Sequence, residues 1–205
     1  EYEKAIPYYM EGYAIFDRIG DAGLVAKTYD ILQVIYQDLK QYQKALEYGQ
    51  KAVQKSMESE NPLFLGTAYL NLGVSHFKLS QYEEARHYMD RALQMGREMN
   101  NQQLISSALL GMGSYYAATG QYEKLRSIYE ESLDIGRATQ DREVEITSLN
   151  GLAKYHMSVN GYETALGFAS RALSLAGEYG FLKEKADALD ELSNVYFGLH
   201  QASKA

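Results

Sequence analysis

The sequence repeats itself at an interval of 40 residues. The phrase "QYQKALEYGQKA" at 41–52 returns as "QYEEARHYMDRA" at 81–92, and one tyrosine position is kept in every copy. These tyrosines are Tyr2, Tyr42, Tyr82, Tyr122 and Tyr162. Self-similarity at a period of about 20–50 residues is typical of repeat arrays, in which each unit contacts only its neighbours. The predicted units are 1–40, 41–80, 81–120, 121–160 and 161–200, with 201–205 beginning a further copy.

Within a unit the hydrophobic spacing is that of α-helices. Between residues 62 and 80, Leu65, Ala68 and Leu72 recur at intervals of three and four, which places them on one face of a helix. Short polar side chains that can cap a helix stand at one position of four units, namely Asp21, Asn61, Asn101 and Asp141. The fifth unit departs from this pattern, with Phe181 at that position. Turns such as 119–121 are short enough to predict antiparallel helical hairpins.

Small residues fall where the two helices of a unit are expected to cross. Ala45, Ala85 and Ala165 are examples, and such residues let helix axes approach to about 8–10 Å. The repeated tyrosine is expected to bury its ring between units while its hydroxyl group reaches water or a carbonyl. The sequence thus predicts an all-α protein of ten helices, each about 15–17 residues long, with roughly three-quarters of its residues helical, far above the globular average.

Two copies carry a fuller consensus. It comprises Tyr69, Leu72, Gly73, His76, Tyr82, Ala85, Met89 and Ala92 in one copy, and Leu109, Met112, Gly113, Tyr116, Gly120, Tyr122, Leu125, Tyr129 and Ser132 in the next. This pattern resembles the tetratricopeptide repeat, although leucine replaces the usual aromatic residue of the first helix in three units. The 40-residue unit resembles the longer form found in spindle-orientation adaptors, quorum-peptide-regulated phosphatases and activators, and sensory segments of bacterial kinases. The resemblance implies one right-handed α-solenoid of antiparallel helix pairs.

Composition excludes several other functions. The formal net charge of −7 argues against a nucleic acid partner, for which a basic stripe is expected. The chain has no cysteine, so disulfide and thiolate chemistry are absent. Its longest uncharged run, 99–122, contains too many polar residues for a membrane span of about 20 apolar residues.

Motifs that could carry catalysis or hold a cofactor have simpler structural interpretations. His76 and His156 occupy a position that is tyrosine in the other units, which predicts packing rather than a ligand or base role. The "GMGSYY" run at 111–116 lies inside a predicted helix without a preceding strand, the wrong context for a dinucleotide loop. The acidic stretch 141–145 is interpreted as a solvated helix start, favoured by the helix dipole. We therefore expect no enzyme activity, metal or cofactor.

The resemblance places the first helix of each pair on a concave side, which is the expected binding face. This face is neutral in the middle and charged toward both ends, where Asp30 and Asp190 fall. The candidate binding residues are Val34, Thr67, Leu70, Asn71, Val74, Phe77, Ser107, Leu110, Ser114, Asn150, Lys154 and Met157. A charge-free, partly apolar concave surface suits an extended peptide or an amphipathic helix.

An alternative assigns Leu70, Val74 and Leu110 to the core between neighbouring first helices. The family's clamp for acidic C-terminal peptides needs lysine and asparagine in a combination that Asn150 and Lys154 do not match.

The expected role is a protein- or peptide-binding scaffold within a larger signalling protein. The chain opens in mid-pattern with Glu1 and ends at the start of a further copy, 201–205, so we expect a fragment of a longer protein. The partner is expected to be a protein or peptide, including a neighbouring domain of the same polypeptide. Two alternatives remain at this stage: a structural or oligomerising spacer, or the regulatory part of a phosphatase whose catalytic residues lie elsewhere.

Overall fold

The computed structural model describes residues 2–203, with side chains from Lys4 onward, and this range is almost entirely helical. Its helices are α1 (Tyr2–Ile19), α2 (Ala22–Asp38), α3 (Tyr42–Glu58), α4 (Pro62–Lys78), α5 (Tyr82–Glu98), α6 (Gln102–Ala118), α7 (Leu125–Thr139), α8 (Arg142–Ser158), α9 (Tyr162–Tyr179) and α10 (Leu182–Ala202). A single 3-10 turn, Tyr122–Lys124, precedes α7. The structure is 88% helical, and residues 2–203 contain no strand. The predicted ten-helix architecture is confirmed.

The chain divides into two compact units, with the boundary between Gly111 and Met112 inside α6. In the first unit, α1 to α5 pack consecutively, and α2 also contacts α4. In the second unit, α7 to α10 pack consecutively, and α8 also contacts α10. The first helices of successive helix pairs therefore lie side by side, as stacking of repeats requires.

The turns between helices share one backbone conformation. A residue with positive φ recurs every 20 residues, at Gly20, Lys40, Glu60, Ser80, Asn100, Gly120, Gln140, Asn160 and Gly180. In most of these turns the following N–H donates to the carbonyl five residues earlier, as from Gln41 to Tyr36 at 2.8 Å and from Gln81 to His76 at 2.9 Å. This hydrogen bond satisfies an orphan carbonyl at the helix end. Turns of one fixed length explain why the period does not drift.

The helix starts follow the predicted capping pattern. The side-chain oxygens of Asp21, Asn61, Asn101 and Asp141 accept hydrogen bonds from the main-chain N–H groups of Leu24, Leu63, Leu104 and Val144, at 2.9, 3.0, 2.9 and 3.1 Å. Phe181 makes no such bond, and α10 begins directly after it.

At one point in each helix pair, a residue of the first helix faces a residue of the second, and the side chain of either can occupy the space between them. The two residues are Gln33 and Gly49 in the α2–α3 pair, Gly73 and Met89 in the α4–α5 pair, Gly113 and Tyr129 in the α6–α7 pair, and Ala153 and Ala169 in the α8–α9 pair. A Cβ atom on Gly49 would lie 2.6 Å from Nε2 of Gln33, and one on Gly113 would lie 2.5 Å from the Tyr129 ring. In the three pairs that contain a glycine, the larger side chain thus fills the space that the glycine leaves.

Aromatic stacking between paired helices accounts for both repeat histidines. Tyr36 stacks on Tyr48 with ring centroids 5.2 Å apart, and His76 stacks on Tyr88 at 5.3 Å. His156 stacks on Phe168 at 5.4 Å. His76 is buried, and its Nδ1 lies 2.7 Å from Oε1 of Gln81. The packing role predicted for these histidines is confirmed.

The expectation for the repeated tyrosines is wrong in part. Tyr82 and Tyr122 are 37% and 40% exposed, so their rings are only partly buried. Tyr162 behaves as expected, and its ring packs directly on Gly198. The ring of Tyr2 and the final residues of 201–205 lie outside the described part of the chain.

Two glycine-to-alanine substitutions should change stability in opposite directions. Gly167 is helical and a Cβ there would meet nothing within 4 Å, so Gly167→Ala should raise the free energy of unfolding by about 0.5–1 kcal/mol. Gly120 has φ +73°, a conformation that costs an L-residue about 1 kcal/mol, so Gly120→Ala should lower it by that amount. Urea denaturation measures both, and equal shifts would contradict the assigned turn conformation.

Candidate functional site

The first unit contains a cavity of about 450 Å³, the α2–α4–α6 cavity. Its lining comprises Ala26, Lys27 and Asp30 of α2, Ser56 of α3, Leu63, Phe64, Thr67 and Leu70 of α4, and Asn101, Gln103, Leu104 and Ser107 at or within α6. The side chains of α4 contribute most of the apolar wall, while polar groups stand on all sides of it. The volume falls within the range of about 300–1,000 Å³ that is typical of ligand pockets.

Asp30 is the only acidic side chain in the lining of the α2–α4–α6 cavity. Burial raises the pKa of Asp30 to about 6, although a hydrogen bond from Asn71 acts to lower it. Nδ2 of Asn71 donates to Oδ1 of Asp30 at 2.8 Å, and the carbonyl of Asn71 accepts from Nε2 of Gln37 at 3.0 Å. Asp30 makes no salt bridge within residues 2–203. Its carboxylate is thus held in place by a neutral partner.

Three of the candidate residues from the sequence line this cavity, namely Thr67, Leu70 and Ser107. Leu70 is only 9% exposed, so it forms part of the wall and does not project into solvent. Asn71 contributes indirectly by fixing Asp30. The remaining candidates in the first unit lie outside the lining: Val34 is exposed, and Val74, Phe77 and Leu110 are half-buried.

The second unit has a more polar cavity of about 490 Å³, the α8–α10 cavity. Its lining includes the candidate residues Ser114, Asn150 and Lys154, together with Tyr129 and Glu191. Met157 and Lys154 line an adjoining cavity of about 470 Å³. The candidates of the second unit therefore lie close together around Lys154.

Several polar side chains in the lining of the α8–α10 cavity are buried. Nδ2 of Asn150 donates to the carbonyl of Glu184 at 3.2 Å, whereas its buried Oδ1 has no hydrogen-bond partner among the described residues. Burial raises the pKa of Glu191, although Nζ of Lys154 lies 3.6 Å from its carboxylate and opposes that shift. Burial also raises the pKa of Tyr129 to about 12.

The interpretation of 141–145 as a solvated helix start is wrong for Glu145. This side chain is 2% exposed, and guanidinium groups of Arg142, Arg137 and Arg171 lie 2.7, 3.4 and 3.5 Å from its carboxylate. Glu143, two residues earlier, is exposed as expected. Alternate residues of a helix lie on different faces, so an acidic stretch can be solvated at one position and buried at the next.

No group of three or more histidine, cysteine or acidic side chains within 2–203 is arranged to hold a metal ion. None of the helices in this range is both long enough and apolar enough to span a membrane.

Comparison with known proteins assigns the family. Two tetratricopeptide repeat models match adjoining parts of the sequence, residues 65–103 and residues 104–178. The chain belongs to the tetratricopeptide repeat family. Tetratricopeptide repeats form protein-interaction scaffolds, and the fold is generally non-catalytic. No curated protein matches the chain in sequence.

Solved structures show the same fold at low sequence identity. A signal transduction ATPase with numerous domains and a tetratricopeptide repeat sensor, from Pyrococcus horikoshii, superposes with a TM-score of 0.79 at 23% identity, over 96% of this chain and 30% of its own. BtubC from P. vanneervenii superposes with a TM-score of 0.74 at 14% identity, over 100% of this chain and 90% of its own. A Rap protein complexed with Competence and Sporulation Factor superposes with a TM-score of 0.67 at 18% identity, over 98% of this chain and 60% of its own.

These matches confirm the predicted solenoid of antiparallel helix pairs. This chain spans less than a third of the signal transduction ATPase and less than two thirds of the Rap protein.

Proposed function

We propose that this tetratricopeptide repeat protein binds a peptide segment of a partner protein in the α2–α4–α6 cavity. The observation that carries the proposal is the apolar wall of this cavity, formed by Phe64, Leu70 and Leu104 between the first helices of successive helix pairs. An apolar pocket with a few polar groups around it is the usual form of a binding site for small ligands and side chains. The chain itself carries out no chemistry.

The array acts as a regulatory or sensory segment of a larger signalling protein. Two similar structures support this role, since one contains a tetratricopeptide repeat sensor and the other is complexed with Competence and Sporulation Factor. In both, the matched region is only part of a longer chain. Binding would act on an attached domain by favouring one of two arrangements of the helix pairs, which need differ by only a few kcal/mol.

Filling the cavity should weaken peptide binding. A phage-displayed heptapeptide library is selected on the purified protein, and the best peptide is titrated by calorimetry against wild type and Thr67→Phe. Thr67 lines the cavity, so the added ring should occupy it and weaken affinity by about tenfold or more. Thr147→Phe, the same change at the same repeat position of the second unit, is the matched control and should leave affinity within about twofold.

The outcomes separate a binding module from a spacer. Loss of affinity in Thr67→Phe alone supports the proposed site. Equal loss in both variants would move the site away from the α2–α4–α6 cavity. A library that yields no peptide above background would instead favour a structural or oligomerising spacer.

A further inference from the structure

We infer that the α2–α4–α6 cavity selects a peptide segment in which a large apolar side chain stands next to a lysine or arginine whose cation pairs with Asp30. This inference rests on the proposed function, because it names the ligand chemistry of the same cavity. It follows from three properties of Asp30: its surroundings, its lack of a cationic partner, and its place in the repeat.

The cavity has separate places for an apolar group and a cation. Leu63, Phe64, Leu70 and Leu104 supply apolar surface that suits a leucine, methionine or phenylalanine side chain. Asp30 supplies a single carboxylate on the α2 side of the same cavity. A ligand that fills the apolar part therefore brings its neighbouring side chain close to a negative charge.

The Asp30 carboxylate lacks the cation that its surroundings require. Burial raises its pKa to about 6, which means that the ionised form is poorly solvated and not offset by a positive charge. Lys27 is the only basic side chain in the lining; it is exposed and forms no salt bridge with Asp30. Asn71 gives Asp30 one neutral hydrogen bond and leaves its charge uncompensated. A bound lysine or arginine would supply the missing charge.

Packing alone does not account for an acid at this position. The corresponding residue is Leu70 in the second repeat, Leu110 in the third, Asn150 in the fourth and Asp190 in the fifth. The position thus accepts an apolar or a polar side chain, and the acid of the fifth repeat, Asp190, is exposed. An acid that instead carries an uncompensated charge into a cavity is expected at a binding site.

Anionic ligands fit the cavity less well. Its lining contains no arginine, and the formal charge of the whole chain is −7. One carboxylate is also too few for a metal ion, and the described residues provide no acidic cluster around it. Charge complementarity therefore favours a basic peptide over an acidic peptide, a nucleic acid or a divalent cation.

The test compares Asp30→Asn with Asp38→Asn. Both substitutions remove one negative charge from α2, but Asp38 is exposed and outside the cavity lining. Asparagine at position 30 can still accept the hydrogen bond from Asn71. A phage-displayed heptapeptide library is selected separately on wild type and both variants. Wild type and Asp38→Asn should enrich lysine or arginine beside a large apolar residue, and Asp30→Asn should lose that enrichment.

A titration then locates the charge pair. The best wild-type peptide should bind Asp30→Asn about tenfold more weakly than Asp38→Asn. A peptide with norleucine in place of its lysine should bind wild type and Asp30→Asn within about twofold of each other. This second comparison shows whether Asp30→Asn retains the binding of a peptide that lacks the cation, as a folded variant must.

Lowering the pH should mimic the Asp30→Asn substitution. The affinity of wild type should fall between pH 7.5 and pH 5, because Asp30 takes up a proton near pH 6, whereas the affinity of Asp30→Asn should stay constant. The peptide's lysine keeps its charge over this range.

The stability of the fold should move in the opposite direction to affinity. The pKa of Asp30 is raised, so its ionisation costs stability as the pH rises through about 6. Asp30→Asn should therefore melt at a higher temperature than wild type at pH 7.5 and lose that advantage at pH 4. If Asp30→Asn is more stable than wild type at pH 7.5 but binds the peptide more weakly, the charge of Asp30 serves the ligand and not the fold. A loss of both stability and affinity would overturn the inference.

Failure of the inference can be told apart from failure of the proposed function. Peptides selected without basic residues, or with acidic ones, would overturn the assignment of Asp30 while leaving peptide binding intact. Failure to select any peptide would overturn both.

Discussion

Gly49→Met should lower the free energy of unfolding by about 3 kcal/mol. A Cβ atom at position 49 would lie 2.6 Å from Nε2 and 2.8 Å from Cδ of Gln33. Gln33 is completely buried, and its Nε2 donates to the Ser75 hydroxyl group at 2.9 Å, so the side chain has nowhere to move. Urea denaturation followed by circular dichroism measures the change.

A second substitution should rescue this variant. Gln33→Gly combined with Gly49→Met reproduces the pairing that Gly73 and Met89 form one repeat later. The double variant should recover about 2 kcal/mol relative to the sum of the two single changes. Gln33→Gly alone is the control, and should be destabilising because it leaves an unfilled space and a glycine within a helix. Strictly additive effects would show that the two positions do not share one space.

Glu145→Gln should cost about 2 kcal/mol of stability at pH 7. The carboxylate is 2% exposed and lies 2.7 Å from Arg142 and 3.4 Å from Arg137. Glutamine retains the shape of the side chain but removes the charge on which these hydrogen bonds depend. The arginines are themselves partly exposed, which keeps the cost below that of stranding a fully buried charge. Glu143→Gln, an exposed change two residues away, should stay within about 0.5 kcal/mol of wild type.

The effect of Glu145→Gln should depend on pH in one direction. Burial acts to raise the pKa of Glu145, but the hydrogen bonds and charges of Arg142 and Arg137 outweigh it, so the net pKa is lowered. A lowered pKa stabilises the folded state above the ordinary value of about 4.3, and this contribution is lost as the pH falls through the lowered value. The gap between wild type and variant should therefore close toward pH 3. A constant gap from pH 7 to pH 3 would show that the loss is one of packing.

The sequence by itself determined the fold because the relevant signals are local. A cap such as Asn61 needs only the N–H groups of the next turn, and the left-handed residue at every twentieth position depends on its own turn. Helical periodicity likewise depends on neighbours three and four residues away. The exact period then required every repeat to have the same form, so one helix pair predicted the others. The histidine packing followed for the same reason.

Only the tertiary structure decided which side chains meet across helices. The exchange of bulk between Gln33 and Gly49, and between Gly73 and Met89, joins residues 16 positions apart on different helices. No pattern within either helix indicates it. Once these pairs are known, the sequence shows a larger residue at one position wherever the other is glycine.

The candidate site was predicted only in part, because the sequence indicates the face of a helix but not the side chains that meet across helices. Helical register placed Thr67, Leu70 and Ser107 on one face, and all three line the α2–α4–α6 cavity. The sequence favoured the neutral middle of that face, whereas the cavity extends to Lys27 and Asp30 at its charged end. Similarly, Glu145 was expected in solvent because it belongs to an acidic helix start, yet three arginines from three helices surround it. The free energy of a charge depends on the solvent and partners around it in space, and only tertiary packing determines these.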